Sequence, residues 1–309
     1  MSCYSNATYF ERNDKHEEGD ALQSPLLHIG VDAGGTLVKI ASEHEDGTIS
    51  FRKFRSSELA KAAEWVDAQP LLGNLCLTGG KAGLFQASIQ RKAGHLVEFE
   101  ATCNGAKWLL RREGISLPSF LLTNVGTGTS IHYVDEHTHY RVGGTGVGGG
   151  TILGLSALTT GIEDFETIVR LAAAGSRDDI DLTVGHIYEG ATPPIPGELT
   201  ASNFGRWLQT GGSRRKEDVL ASIIGLVGET VATVSVHAAG QSGAACVLYI
   251  GSSFVRNDLL RRVVAGYTEL RGSRSLTLPD GEFSGAVGAL LSARDAEAPM
   301  PLACGPDGR

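Results

Sequence analysis

The sequence predicts an α/β protein built from two similar lobes, and three observations carry that prediction. An apolar strand, a glycine-threonine turn and a second strand occur as VDAGGTLVKI near 31–40 and return as VGTGTSIHYV near 125–134. Between and after these copies, strand-like and helix-like periodicities alternate, as expected of α/β lobes. Glycine supplies 41 of 309 residues and is concentrated in short loops, the usage expected where backbone approaches phosphate closely. The copies lie roughly 95 residues apart, which leaves room for one lobe each.

The elements follow in order. The first 25 residues are polar and acidic, lack the apolar core of a secretion signal, and read as a disordered tail. LLHIGV is a strand running into Asp32-Ala33-Gly34-Gly35-Thr36, LVKIAS a second strand and TISFRKF a third. Ser56 or Ser57 should cap a helix reaching about Gln69. Leu75 to Thr78 is a strand broken by Gly79-Gly80. A helix near 83–92, a short strand LVEF and a helix carrying Cys103, Trp108, Leu109 and Leu110 complete the first lobe, 26–120.

The second lobe, 121–295, repeats the opening with FLLTNV, GTGT, SIHYVD and HYRV. GGTGVGGG then leads into a helix at Thr151, whose N-terminus would be available to nucleotide phosphate. Pro193, Pro194 and Pro196 exclude a regular helix around them. From Glu217 to about His237, Leu220, Ile223, Ile224, Val227, Val231 and Val234 recur at helical spacing, which marks a core or interface helix. VLYIGSS is a strand, RNDLLRRVVAGY a helix, SLTL a strand and GAVGALLSA a final helix free to pack back on the first lobe, with 296–309 as a tail.

Composition removes several classes of function. A formal net charge of -8 opposes binding to nucleic acid, which needs clustered Lys and Arg. No uninterrupted apolar run approaches the roughly 20 residues that span a bilayer, so the chain reads as cytosolic, without a membrane partner. Cys3, Cys76, Cys103, Cys246 and Cys304 form no CxxC pair and no zinc-like spacing with histidine, so they read as reduced, packed thiols.

The chemistry concentrates at the two turns. In DAGGT, glycines let backbone amides reach oxygens, Thr36 adds a hydroxyl, and Asp32 would face magnesium. Alone, such a turn is as well read as a plain β-hairpin. The second turn, Gly126-Thr127-Gly128-Thr129, makes a clamp around a triphosphate the better reading. GGTGVGGG also satisfies GxGxxG, with Asp164 at a ribose-binding distance, but HYRV before it is a hairpin arm and not the first strand of a βαβ unit. No P-loop motif occurs. Phosphorylating an alcohol needs a carboxylate beside the hydroxyl. Glu98 and Glu100 in VEFE are the candidates, sharing one face of a short strand, which could equally be an exposed edge.

VDAGGTLVKIA, LCLTGGKAG, VEFEA, NVGTGTSIHYVD, RVGGTGVGGGTILGL, PPIPGELTASNFG, YIGSSF and YTELRG stand in the order and spacing of type II pantothenate kinases, and the chain resembles that family from about residue 27 to 292. The resemblance implies two ribonuclease H-like lobes of the actin-like ATPase fold, a homodimer, and ATP- and Mg2+-dependent phosphorylation of pantothenate to 4′-phosphopantothenate. It carries the catalytic base onto Glu98, with Glu100 at a position where the family can have Asp. Its nucleotide contacts fall on Gly34, Gly35, Thr36, Lys39, Thr127, Gly149, Gly150, Thr151, Ile152, Leu153 and Ser252. Phe165 stands where a relative has tyrosine, so ring contact with adenine is kept and the hydroxyl lost. Arg141 and Tyr267 match residues of the pantothenate site. The competing functions are another actin-like kinase acting on a sugar and a nucleotide-binding regulator without catalysis. Scattered cysteines oppose the zinc cluster many bacterial sugar kinases carry, and intact Asp32, Glu98 and Arg141 oppose the regulator.

Overall fold

A computed structural model describes residues 25–207, 215–244 and 246–296. The two expected tails lie outside the described residues, apart from Pro25 and Ala296.

Three strands open the first sheet as an antiparallel meander: β1 (Leu26–Ala33), β2 (Leu37–His44) and β3 (Ile49–Arg55). After α1 (Leu59–Ala68), β4 (Leu75–Thr78) joins β1 in parallel, and after α2 (Ala82–Ser88), β5 (Gly94–His95) joins β4 in parallel. The order is β3-β2-β1-β4-β5. Following α3 (Glu98–Arg112), the meander returns as β6 (Ser119–Val125), β7 (Thr129–Asp135) and β8 (His139–Thr145). Next come α4 (Gly149–Thr160), α5 (Phe165–Ala172), β9 (Leu182–Thr183), α6 (Val184–Tyr188), β10 (Thr200–Ser202) and the long α7 (Lys216–Ser242). Then β11 (Cys246–Ile250), α8 (Asp258–Leu270), β12 (Arg274–Thr277) and α9 (Ser284–Asp295) complete the order β12-β11-β6-β7-β8. The expected repeat is thus one topology used twice, with β11 and β12 parallel to β6 as β4 and β5 are to β1.

Each sheet is covered on both faces, which is why its central strands are nearly continuously apolar. On the first, Ile29, Val31, Val38 and Ile40 pack with Ala62, Ala63 and Val66 of α1 and Phe85 of α2. On the second, Leu121, Ile131, Val247 and Tyr249 pack against the apolar stripe of α7. By length and hydropathy α7 could cross a membrane, which the unbroken-run criterion overlooked, but 67% of its most apolar window is buried inside the protein.

The facing sides of the sheets exchange helices. Helix α3 sets Cys103, Ala106 and Leu110 on Phe120, Leu122, Val134 and Leu248 of the second sheet. Helix α9 sets Ala286, Val287 and Leu290 on Ala41 of the first, with Phe283 just before it. Small residues allow both contacts: a Cβ on Gly105 would sit 1.9 Å from the Ser284 carbonyl oxygen, and one on Gly30 would sit 2.2 Å from that of Ala286.

Two local expectations fail. Neither Ser56 nor Ser57 caps a helix: α1 begins after the short 3-10 turn that holds both, with Glu58 at its N-cap, and the Ser56 hydroxyl donates to the Gly34 carbonyl at 2.8 Å. LVEF is not a strand, because Val97 takes extended N-cap geometry and Glu98 opens α3. Four alternating residues cannot separate a strand from a helix start, and two acids in the first turn suit the positive end of a helix.

Candidate active site

Parallel β1, β4 and β5 deliver three connections to one edge of the first sheet, as open α/β sheets do around ligands. They are the turn Gly34–Thr36, the turn Gly79–Lys81, and the entry to α3 at Glu98. The second sheet offers its β6–β7 turn to the same crevice, and Thr36 Oγ1 meets Thr127 Oγ1 at 2.8 Å. Within the first turn Gly34 N–H donates to Leu37 O at 3.0 Å, whereas the Gly35 and Thr36 amides have no protein partner among the described residues. Gly34 does not have positive φ, so its lack of a side chain serves space and not handedness.

Asp32 and Lys39 face each other across the hairpin, 3.9 Å apart, with side chains only 15% and 14% exposed. Lys39 is therefore no solvated strand lysine. Gly79, at φ +91, and Gly285 wall in the Asp32 carboxylate: a Cβ on either would lie 2.6 or 2.7 Å from its oxygens. Burial raises the Asp32 pKa, opposed by Lys39. Glu98 stands at the solvent-open first turn of α3. Partial desolvation and then the charge of Asp32 raise its pKa, again opposed by Lys39. The two carboxylates are thus electrostatically coupled at the crevice. Glu100, two residues further, is turned by roughly 200° around the helix, so the expected shared face does not exist.

Arg141 of β8 pairs in register with His132 of β7, which puts both on the face toward α3. The His132 ring lies 4.7 Å from that of Phe99, centroid to centroid, and is 1% exposed. Burial, then the Arg141 charge, push its pKa down to about 4, so the ring is neutral. The Arg141 guanidinium leans along the strand toward the glycine turn, with Nη2 2.8 Å from where a Gly144 Cβ would stand.

The glycine-rich segment differs from expectation. Helix α4 starts at Gly149, and the Gly149 and Gly150 amides donate to Gly126 O and Thr127 O, each at 2.8 Å. Thr151 Oγ1 accepts from Gly148 N–H at 3.1 Å. These groups brace the β6–β7 turn, so the first two helix amides are not open to phosphate. Ile152 is fully buried in the second core and Leu153 half-buried against it. Phe165 is half-buried at the start of α5, and Asp164 caps that helix by accepting from Thr167 N–H at 2.9 Å. Ser252 opens the turn after β11, but its neighbour Ser253 donates to Gly126 O at 3.2 Å. Tyr267 is not joined to Glu98 or Arg141 by any described contact; its hydroxyl accepts from Thr200 N–H at 3.1 Å.

Three residues of the crevice escaped the sequence. Lys81 donates through Nζ to Gly35 O at 3.1 Å and through its amide to Ala33 O at 2.8 Å, so it braces the Asp32 turn. Its position directly after strand-Gly-Gly was the available signal. Ser253 and His132 carried none, because packing alone selects them. A cavity of about 540 Å³, lined by Asn74, Arg91, His95 and Ser292, lies at the other end of β4 and takes no part. The described cysteines, Cys76, Cys103 and Cys246, are buried thiols, with Cys103 pushed up to about 12 and Cys246 to about 11 by burial.

The family model Fumble matches residues 38–292. A type II pantothenate kinase of Bacillus cereus (strain G9842) is 45% identical over 267 residues, covering 86% of this chain and 98% of the relative. One of Staphylococcus aureus (strain USA300) is 43% identical over 265 residues, covering 85% and 98%. Among solved structures, component A of (R)-2-hydroxyglutaryl-CoA dehydratase from Acidaminococcus fermentans superposes with a TM-score of 0.59 at 17% identity, covering 88% of this chain and 99% of that one. The activator of 2-hydroxyisocaproyl-CoA dehydratase from Clostridium difficile gives 0.57 at 16% identity, covering 88% and 95%. At these identities the structures speak for the fold alone, which is the expected actin-like one.

Proposed function

This chain belongs to the type II pantothenate kinase family, and from that premise we propose how its own residues transfer the γ-phosphoryl group of ATP to the primary hydroxyl of pantothenate, the first step of coenzyme A synthesis, in the cytosol. The observation that carries the assignment of roles is the pair of coupled carboxylates, Asp32 and Glu98, beside two touching glycine-threonine turns. The turns cradle the triphosphate with the free Gly35 and Thr36 amides and the Thr36 and Thr127 hydroxyls. Asp32, walled by glycines and paired with Lys39 at 3.9 Å, fits a Mg2+ ion, which usually takes one or two carboxylates and completes its shell with phosphates and water. Such an ion supplies charge neutralisation for the phosphates.

Glu98 accepts the hydroxyl proton. Its carboxylate is solvent-open and feels Asp32, and the raised pKa makes it a better base than an ordinary glutamate. Arg141 pairs with the pantothenate carboxylate or the transferring phosphoryl. Arg141→Ala should lower kcat/KM for pantothenate by roughly 10²-fold, about 2.7 kcal/mol, with little change in ATP affinity. Steady-state kinetics with either substrate varied decides it, and an equal loss of ATP affinity moves Arg141 to the nucleotide.

Gly34→Val should abolish ATP binding with the fold kept, because the new Cβ would stand 3.0 Å from Leu37 O and its methyls would enter the phosphate space. Calorimetric titration of ATP tests it; a native circular dichroism spectrum with unchanged affinity sinks the cradle. The resemblance to the family implies a homodimer, although the apolar stripe of α7 is taken up by the second core, so light scattering should give twice the 32.5 kDa chain mass, and a monomer refutes it. Production of ADP with pantothenate but not with pantetheine or glucose tests the substrate assignment itself.

A further inference from the structure

Helix α7 carries a buried carboxylate, Glu229, 8% exposed, in the middle of its apolar sequence. Burying an ion costs several kcal/mol unless it is well paired, and an apolar residue there would often serve stability as well or better. Glu229 accepts from Thr200 Oγ1 at 2.7 Å, from Asn203 Nδ2 at 3.0 Å, and from the Arg177 guanidinium. Arg177 also donates to Asp181 at 2.7 Å and to Thr200 Oγ1 at 3.0 Å, and Asp181 accepts from Phe204 N–H at 2.8 Å. Three of these partners, Thr200, Asn203 and Phe204, belong to one short segment after the proline-rich turn.

That segment has one described tie to α8: the Thr200 amide donates to the Tyr267 hydroxyl. The ring of Tyr267 borders a cavity of about 290 Å³ with Leu199, Val263 and Leu270, and the Arg271 guanidinium lies 5.2 Å from its centroid. Two elements far apart in sequence therefore meet at Tyr267 through a chain of hydrogen bonds that begins at Glu229. One guanidinium serves two carboxylates here, an arrangement poorly suited to stability and well suited to fixing one geometry.

We infer that Glu229 is a positioning residue for pantothenate binding, acting on Tyr267 both through Thr200 and directly. The inference rests on the reading that Tyr267 lines the substrate site. Glu229 touches neither substrate; it holds the Thr200 hydroxyl while the Thr200 amide donates to the Tyr267 hydroxyl, and its own carboxylate also interacts with that hydroxyl.

Glu229→Gln keeps the shape but replaces one acceptor oxygen with a donor facing Arg177 or Asn203. The expected result is a rise of roughly tenfold in KM for pantothenate, with kcat and the KM for ATP within about twofold of wild type. Tyr267→Phe, which removes the linked hydroxyl, should raise the same constant, and the double variant should be no worse than the more affected single one. Thr200→Val repeats the test if Glu229→Gln fails to fold. A lower melting temperature with unchanged pantothenate KM in Glu229→Gln, beside a raised KM in Tyr267→Phe, overturns the inference and leaves Tyr267 in the site. Penalties that multiply in the double variant overturn it too. An unchanged KM in Tyr267→Phe removes the tyrosine from the site, and the inference goes with it.

Discussion

Glu98→Gln should yield an enzyme that folds and binds ATP as the wild type does but turns over roughly 10²- to 10⁴-fold more slowly. Glutamine keeps the size and most hydrogen bonds of the side chain, and only the capacity to take a proton is lost. Stability should not suffer, because the carboxylate is solvent-open and its raised pKa shows that the charged form is disfavoured in the folded protein. The same raised pKa fixes the sign of the pH dependence. In the wild type kcat/KM should fall as pH drops through a value above that of an ordinary glutamate, about 4.3, as the base becomes protonated. Glu100→Gln, on another side of α3, should cost far less. Measured side by side, a dead Glu100→Gln with an active Glu98→Gln reverses the assignment, and two active variants remove α3 from the chemistry.

Gly105→Ala should destabilise the protein by about 3 kcal/mol or more, although the same change in an ordinary helix interior would stabilise by up to about 1 kcal/mol. The sign is decided by the 1.9 Å at which the new Cβ would meet the Ser284 carbonyl oxygen. The obstacle is backbone, so no rotamer relieves it and α3 must move from α9. A fall in melting temperature of roughly 5 °C or more follows, with lowered activity because α3 carries Glu98. Gly240→Ala in α7, where nothing lies within 4 Å of the added methyl, is the control and should not destabilise. Equal melting temperatures for Gly105→Ala and wild type would show that the two helices do not bear on each other as described.

Strands β1, β4, β6 and β11 were legible as apolar runs bounded by glycine or polar turns, and the arms beside β1 and β6 by the repeat of one order, whereas β5, β9 and β10, of two or three residues each, went unread. The repeat of DAGGT and GTGT was enough to read two lobes whose glycine-threonine turns meet in one crevice. What failed was short or non-local. VEFE has too few residues for its period to be trusted, and the acids that begin α3 look the same in an edge strand. Ser56 resembled a cap because sequence does not reveal that a carbonyl 22 residues earlier, Gly34 O, takes its hydroxyl. Gly149 and Gly150 looked open to phosphate because their partners, Gly126 O and Thr127 O, are set by how α4 packs. The roles proposed for Arg141 and Tyr267 come only from resemblance to a family, since an isolated arginine or tyrosine has no local signature.

The exchange of α3 and α9 reverses the order in which this chain can be completed. Strands β1 to β5 are made first, yet the layer that closes over Gly30 and Ala41 is supplied by residues 284–295. A nascent chain halted before that helix therefore holds a finished hairpin with an uncovered apolar side, a surface on which partly made chains associate. The first sheet to be synthesised is the last to be sealed, since its open face is closed only once residues 284–295 have been made.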